Sequence, residues 1–247
     1  MKIYFHPKFY EAYNSDLLSE PGRMEAIINS ISPYFPNFSL FPPATERQLL
    51  LGHIQAHINT IKKMGLFDIS ALATGAAIQA ALTCLIEPAF AIARPGGHHA
   101  MINKAWGMCF FSSMAIACLC LHEIEPDKKI FIFDFDHHEG NGTKEILGNM
   151  SWVEIFDIPP FERDIYLEYV REGLCAAKAD VFAVSAGFDH HEECIGRQIK
   201  TEDYYLFGQL VKQAAIRNNA ACFGIMEGGY DYKMLAEAPI AFLKGLS

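Results

Sequence analysis

The hydrophobic stretches of this chain are uninterrupted rather than alternating, and they occur singly between longer helical stretches. Lys129–Phe135, Trp152–Ile158, Val181–Ser185 and Ala221–Met226 are short apolar runs of this kind. A strand with one face in water alternates apolar and polar residues, whereas a strand that is apolar throughout is buried on both faces. Alternation with helices then predicts a three-layer α/β/α fold around a mostly parallel sheet. Lys2–His6 and Phe90–Ala93 read as further strands. Helices are predicted at Gly22–Tyr34, with Pro21 as a start signal, at the nearly all-apolar Ala71–Leu85, at Ser112–His122, and at about Lys233–Leu246. Arg163–Lys178 is helical with Ile165, Leu167, Tyr169, Val170 and Leu174 as its apolar positions. Thr201–Asn218 carries Glu202 and Asp203 in its first turn and Lys212 and Arg217 toward its end, as the helix dipole prefers.

Composition narrows the class. With 247 residues, half of them hydrophobic, and no repeat or Gly/Ser-rich linker, the chain reads as one domain over 1–247. A formal net charge of −9 disfavours nonspecific nucleic-acid binding and weakly favours cationic ligands. The seven cysteines include no CxxC pair and sit mostly in apolar runs, which points to a reducing, cytoplasmic compartment. The first ten residues lack a signal-peptide core. The longest apolar run is broken at Glu87-Pro88, so no membrane span is expected.

In such folds ligands bind beyond the carboxyl ends of the strands, and there the polar residues concentrate. Six of ten histidines form three adjacent pairs, His98-His99, His137-His138 and His190-His191, each just after an apolar strand. Asp134, Asp136 and His138 end one strand. Residues two apart in an extended chain project to one side, so Asp136 and His138 can converge on a metal for which carboxylate oxygen and imidazole nitrogen are suitable ligands. The alternative is that Asp134 and Asp136 cap the helix that follows. Asp189 ends another strand; as a third ligand it would leave a position open for water, the pattern of a catalytic zinc site. Arg94-Pro95-Gly96-Gly97 turns into His98-His99, which could serve as general base and electrostatic partner, with Asp134 and Asn141 available to orient them. Tyr230, after Gly228-Gly229, could donate to a developing oxyanion or simply pack on a loop.

Five ordered segments resemble the histone deacetylase and acetylpolyamine amidohydrolase superfamily: RPGGHHA at Arg94–Ala100, GMCFF at Gly107–Phe111, DFDHHEGNGT at Asp134–Thr143, SAGFDHH at Ser185–His191 and EGGY at Glu227–Tyr230. Glu20-Pro21-Gly22-Arg23 resembles an earlier family segment more weakly. The resemblance implies an arginase-like fold and a zinc-dependent deacetylase acting on an N-acyl amine, a small molecule or a peptide. It implies one zinc held by Asp136, His138 and Asp189, with His99 as general base and acid beside His98. Asp134 would orient His98, Asn141 would orient His99, Tyr230 would polarise the acyl carbonyl, and the Gly107 carbonyl would hold the amide N–H. A potassium or sodium ion near Asp134 is implied as well.

The chain departs from the family pattern in three places. Glu139 replaces a second histidine, Met108 replaces an aromatic lining the acyl tunnel, and a long loop after Thr143 is reduced to Phe156-Asp157-Ile158-Pro159-Pro160. The shortening predicts a shallower pocket, or one closed by a partner chain in an oligomer. Two other readings stay open: a two-metal hydrolase of arginase type, with His137, Glu139, His190 and His191 as spare ligands, and a noncatalytic binder of acetylated ligands.

Overall fold

The computed structural model describes residues 1–16 and 19–247. Seven strands form one sheet in the order β2-β1-β3-β7-β6-β4-β5. They are β1 (Lys2–Tyr4), β2 (Phe38–Ser39), β3 (Ala89–Ala91), β4 (Ile130–Asp134), β5 (Val153–Asp157), β6 (Val181–Ala186) and β7 (Ala221–Met226). Every pairing is parallel. The uninterrupted apolar runs therefore have the predicted meaning: β3, β4 and β6 are buried at every residue. The edge strands β5 and β2 are partly open along their length. Helices complete the three layers.

The helices are α1 (Arg23–Ile31), α2 (Glu46–Leu49), α3 (Gln55–Lys63), α4 (Phe67–Thr83), α5 (Ser113–Ile124), α6 (Asn141–Leu147), α7 (Arg163–Ala176), α8 (Thr201–Asn218), α9 (Tyr232–Leu235) and α10 (Ala238–Leu246). Among the described residues no helix is long and apolar enough to cross a membrane, and all seven cysteines are free. The predicted C-terminal helix is two helices, because Glu237 leaves the helical path and Pro239 sits in the first turn of the next helix; proline cannot donate to a preceding turn. On α7 the buried positions are Tyr166, Leu167, Val170 and Leu174, while Ile165 and Tyr169 face solvent. The sequence reading assigned no structure to β2, α2 or α3.

An aromatic cluster fixes the end of β4. Phe135 is fully buried, and its ring lies 5.2 to 5.7 Å from those of Phe188, Tyr204, Phe207 and Phe242. Burying such a side chain contributes roughly 1.5–3 kcal/mol. Because successive side chains in an extended segment point oppositely, anchoring Phe135 in the core turns Asp134 and Asp136 away from it.

Candidate active site

Four neighbouring interior strands end on one rim. β4 delivers Asp134, Asp136 and His138; β6 delivers Asp189; β7 delivers Glu227 to Tyr230; and the turn after β3 delivers His98 and His99. Asp134, Asp136, Asp189, His98 and Glu227 are all buried. Buried carboxylates at strand ends are costly unless charge or hydrogen bonds compensate them.

Asp136, His138 and Asp189 place ligand atoms within 4.8 Å of one another. His138 Nδ1 lies 3.1 Å from Asp136 Oδ1 and 2.8 Å from Asp189 Oδ2. The remaining oxygens are committed to backbone. Asp136 Oδ2 accepts from the Gly228 N–H at 2.9 Å, and Asp189 Oδ1 accepts from the His137 N–H at 3.0 Å. Asp189 Oδ2 is buried and, among the described residues, has no hydrogen-bond partner besides the His138 imidazole. Two buried carboxylates thus converge on a single imidazole nitrogen, and hydrogen bonding first to Asp136 and then to Asp189 pushes the imidazole pKa up to about 10. Two carboxylate oxygens and an imidazole nitrogen are a suitable donor set for a divalent metal, so the residues fit one. Gly228 permits the close approach: a Cβ there would lie 2.6 Å from Asp136 Oδ2 and 2.8 Å from Asp189 Oδ2.

The His98-His99 pair is oriented from the other side. His98 Nδ1 is 3.1 Å from Asp134 Oδ2, and its Nε2 is 3.7 Å from Asp136 Oδ1. Burial works against a charge on His98, but Asp136 and Asp134 outweigh it and raise its pKa. His99 moves the opposite way, lowered by burial and then by the neighbouring His98. His99 Nδ1 donates to Asn141 Oδ1 at 2.8 Å, which leaves Nε2 as the unprotonated nitrogen. The two rings sit 4.1 Å apart.

Asp134 and Asp136 do not cap α6. Its N-cap is Gly140, whose N–H donates to Asp157 Oδ2 at 2.9 Å. Asp157, the register partner of Asp134 on β5, also pairs with the Lys144 ammonium at 3.0 Å. Of the spare ligands, Glu139 pairs with Lys144, His190 contacts Gln198 and His191 contacts Thr201.

A cavity of about 320 Å³ opens onto these groups. Tyr13, His99, Met108 and Tyr230 wall it, Arg23 and Glu227 are its buried charges, and Trp106 and Ile195 are its exposed lining. None of residues 144–163 lines it. Trp106 and Cys109 exchange backbone hydrogen bonds at 3.2 and 2.9 Å around Gly107 and Met108, both at positive φ (55° and 60°). This is the signature of a type I′ turn. A Cβ on Gly107 would strike the His99 ring at 2.4 Å. Burial, then Asp189 and Asp136, raise the Tyr230 pKa, so its phenol keeps its proton.

Several structural partners of the site went unassigned in the sequence. Glu227 Oε2 accepts from the N–H of Gly97 at 2.6 Å and of His98 at 3.3 Å, holding the histidine turn. Its signal was available, since it is a carboxylate ending an apolar strand, as Asp134 is. Arg23 holds the Glu227 and Gly229 carbonyls. Arg94, fully buried, donates to the carbonyls of Phe9 and Glu20 at 2.7 and 2.8 Å and so fixes the segment bearing Tyr13. His53 Nδ1 donates to the Met101 carbonyl and its Nε2 accepts from the Ser112 N–H, both at 2.9 Å.

Comparison with known proteins is consistent with this geometry. A family model described as the histone deacetylase domain matches residues 63–167. A probable deacetylase of Methanothermobacter thermautotrophicus is 24% identical over 99% of this chain and 90% of its own length. A histone deacetylase-like amidohydrolase of Pseudomonas aeruginosa is 29% identical over 83% of this chain and 69% of its own. The chain spans less than half the length of several plant and human relatives. The crystal structure of the HDA15 HD domain superposes with a TM-score of 0.87, covering 99% of this chain and 88% of that one at 20% identity, a likeness of fold.

Proposed function

We propose that the chain, similar to histone deacetylases and related amidohydrolases in sequence, is a member of that superfamily and a zinc-dependent amidohydrolase. It would cleave an N-acetyl or other N-acyl amine to the free amine and a carboxylate. The observation that carries this reading is the convergence of Asp136 and Asp189 on His138 Nδ1 beside a differently charged histidine pair.

Asp136, His138 and Asp189 would hold the zinc, which when bound polarises an acyl carbonyl and makes water a better nucleophile. His99 acts as general base. Burial and His98 keep it neutral, Asn141 fixes its tautomer, and its free Nε2 takes the proton as water adds to the carbonyl carbon. His98, charged between Asp134 and Asp136, steadies the arrangement electrostatically. The Tyr230 phenol donates to the carbonyl oxygen as that atom gains charge. The Gly107 carbonyl accepts the substrate amide N–H, and Met108 walls the acyl group. His99 then passes its proton to the departing nitrogen as the C–N bond breaks. Near Asp134 the Lys144 ammonium already supplies positive charge through Asp157, and no role is assigned to a potassium or sodium ion.

Three of the four spare ligands are engaged elsewhere, which favours one metal over two. A panel of acyl amines assayed on zinc-loaded protein and on Tyr230→Phe tests the reading. Release of carboxylate by the wild type, lowered about 10²–10³-fold in the variant, is expected for loss of an oxyanion donor. Turnover by Tyr230→Phe at the wild-type rate would remove Tyr230 from the mechanism. No turnover of any acyl amine would favour the noncatalytic reading.

A further inference from the structure

The outer part of the pocket is lined by apolar side chains, and no carboxylate lines it at the mouth among the described residues. Trp106 is 54% exposed and Ile195 55% exposed, yet both line the cavity that leads to His99 and His138. Large side chains this open to water in the lining of one cavity cost hydrophobic free energy that an apolar ligand would recover. Trp106 is also held in place. It begins the turn that packs against His99, and the Lys104 ammonium lies 5.1 Å from the centre of its ring.

Charge points the same way. Among the described residues, the only carboxylate lining the cavity outside the metal triad is Glu227, and its Oε2 is committed to the Gly97 and His98 N–H groups deep inside. Beside the exposed indole stands a lysine. Glu193, two residues before Ile195, is paired with Lys233 at 2.6 Å. A second ammonium on the substrate, as in a polyamine, would find Lys104 and no lining carboxylate at the mouth, despite the net charge of −9 on the whole chain.

We propose that Trp106 and Ile195 select acyl amines whose amine portion is an apolar or aromatic group, which stacks on the indole while the amide reaches His99. The proposal rests on the hydrolase reading of the same pocket. It makes Trp106 a specificity-determining residue and disfavours polyamines.

N-acetyl-4-nitrobenzylamine and N-acetylputrescine, assayed with zinc-loaded wild type, Trp106→Ala, Trp106→Phe and Ile195→Ser, provide the test. The wild type should prefer the aryl substrate in kcat/KM. Trp106→Ala should raise its KM about tenfold, within the range for one apolar contact in a pocket, and should shift the acetylputrescine KM by clearly less, so that the ratio of the two kcat/KM values falls. Trp106→Phe should recover most of the loss, and Ile195→Ser should move KM in the same direction by less. Binding is read separately in Trp152→Phe, which leaves Trp106 as the sole tryptophan of two. The nitroaryl compound should quench its fluorescence before turnover. Quenching without hydrolysis of any acyl amine would sink the hydrolase reading and leave the mouth assignment standing. Hydrolysis with an unchanged aryl KM in Trp106→Ala, or a wild-type preference for acetylputrescine, would overturn the assignment.

Discussion

Arg23 Nε donates to the Gly229 carbonyl at 2.6 Å, joining the start of α1 to the loop that carries Tyr230. The same guanidinium reaches the Glu227 carbonyl at 2.7 Å and lies 5.3 Å from the centre of the Tyr230 ring. One buried cation thus braces both sides of Gly228. Arg23→Ala should leave two carbonyls unpaired and cost about 1.5–3 kcal/mol for each charged hydrogen bond lost. Activity should fall more through kcat than through KM. Arg23→Lys should not restore it, because one ammonium cannot reproduce the guanidinium fork. Denaturant melts and steady-state kinetics of both variants check this.

If Asp136, His138 and Asp189 hold a metal as proposed, they should act as a stability site as well as a catalytic one. Asp136 and Asp189 face each other across His138 in a buried pocket, so a divalent ion relieves their repulsion. Zinc at 100 times its Kd should stabilise the fold by about 2.7 kcal/mol, seen as a rise in Tm that a chelator reverses. Asp189→Asn should abolish both the zinc-dependent shift and stoichiometric zinc in elemental analysis. A variant that retained both would show that the ion binds elsewhere.

Glu227 should matter for its acceptor oxygen. Glu227→Ala strands the Gly97 and His98 N–H groups, at about 1–3 kcal/mol for each buried donor, and releases the turn that aims His99. Glu227→Gln keeps an oxygen at the same place. Glutamine should therefore hold Tm and kcat near wild type while alanine lowers both. Equal losses in the two variants would mean that the turn needs the carboxylate itself.

His53 predicts an acid limb in stability. Burial, followed by the nearby His57, lowers its pKa from 6.5 to about 4, outweighing the hydrogen bond to the Met101 carbonyl, which raises it; Nε2 accepts from the Ser112 N–H and so carries no proton. The unfolded chain then binds the proton more readily, so stability is complete above pH 6.5 and declines as pH falls toward 4. Between pH 7 and pH 5 the loss from this residue should be on the order of 2 kcal/mol. Urea denaturation at the two pH values, in wild type and His53→Gln, isolates it: the variant should show the smaller drop.

The polar ends of apolar strands announced themselves, because buried carboxylates and histidines are expensive there and so carry information. Asp134, Asp136, His138 and Asp189 were legible one strand at a time. Arg23 and Glu227 were harder to read, since each acts on chain far from it in sequence, and spacing along a chain says nothing about such pairs. His53 sits next to α3, a short helix whose buried residues are only His57, Ile58 and Ile61, too weak a pattern to mark either the helix or its histidines. The break before α10 was in view at Pro239, but the apolar residues on both sides of it made a continuous helix plausible.

The short connection after β5 divides responsibilities in the molecule. β5 is the outermost strand on its side, and Pro159, Pro160, Phe161 and Glu162 that follow it are exposed. The residues that bear the chemistry leave from four interior strands. Extra chain inserted at 159–162 would therefore meet solvent rather than core, and each doubling of loop length costs only about 0.6 kcal/mol in closure entropy. The scaffold could therefore take up additional chain at this point without moving the residues at the ends of the four interior strands.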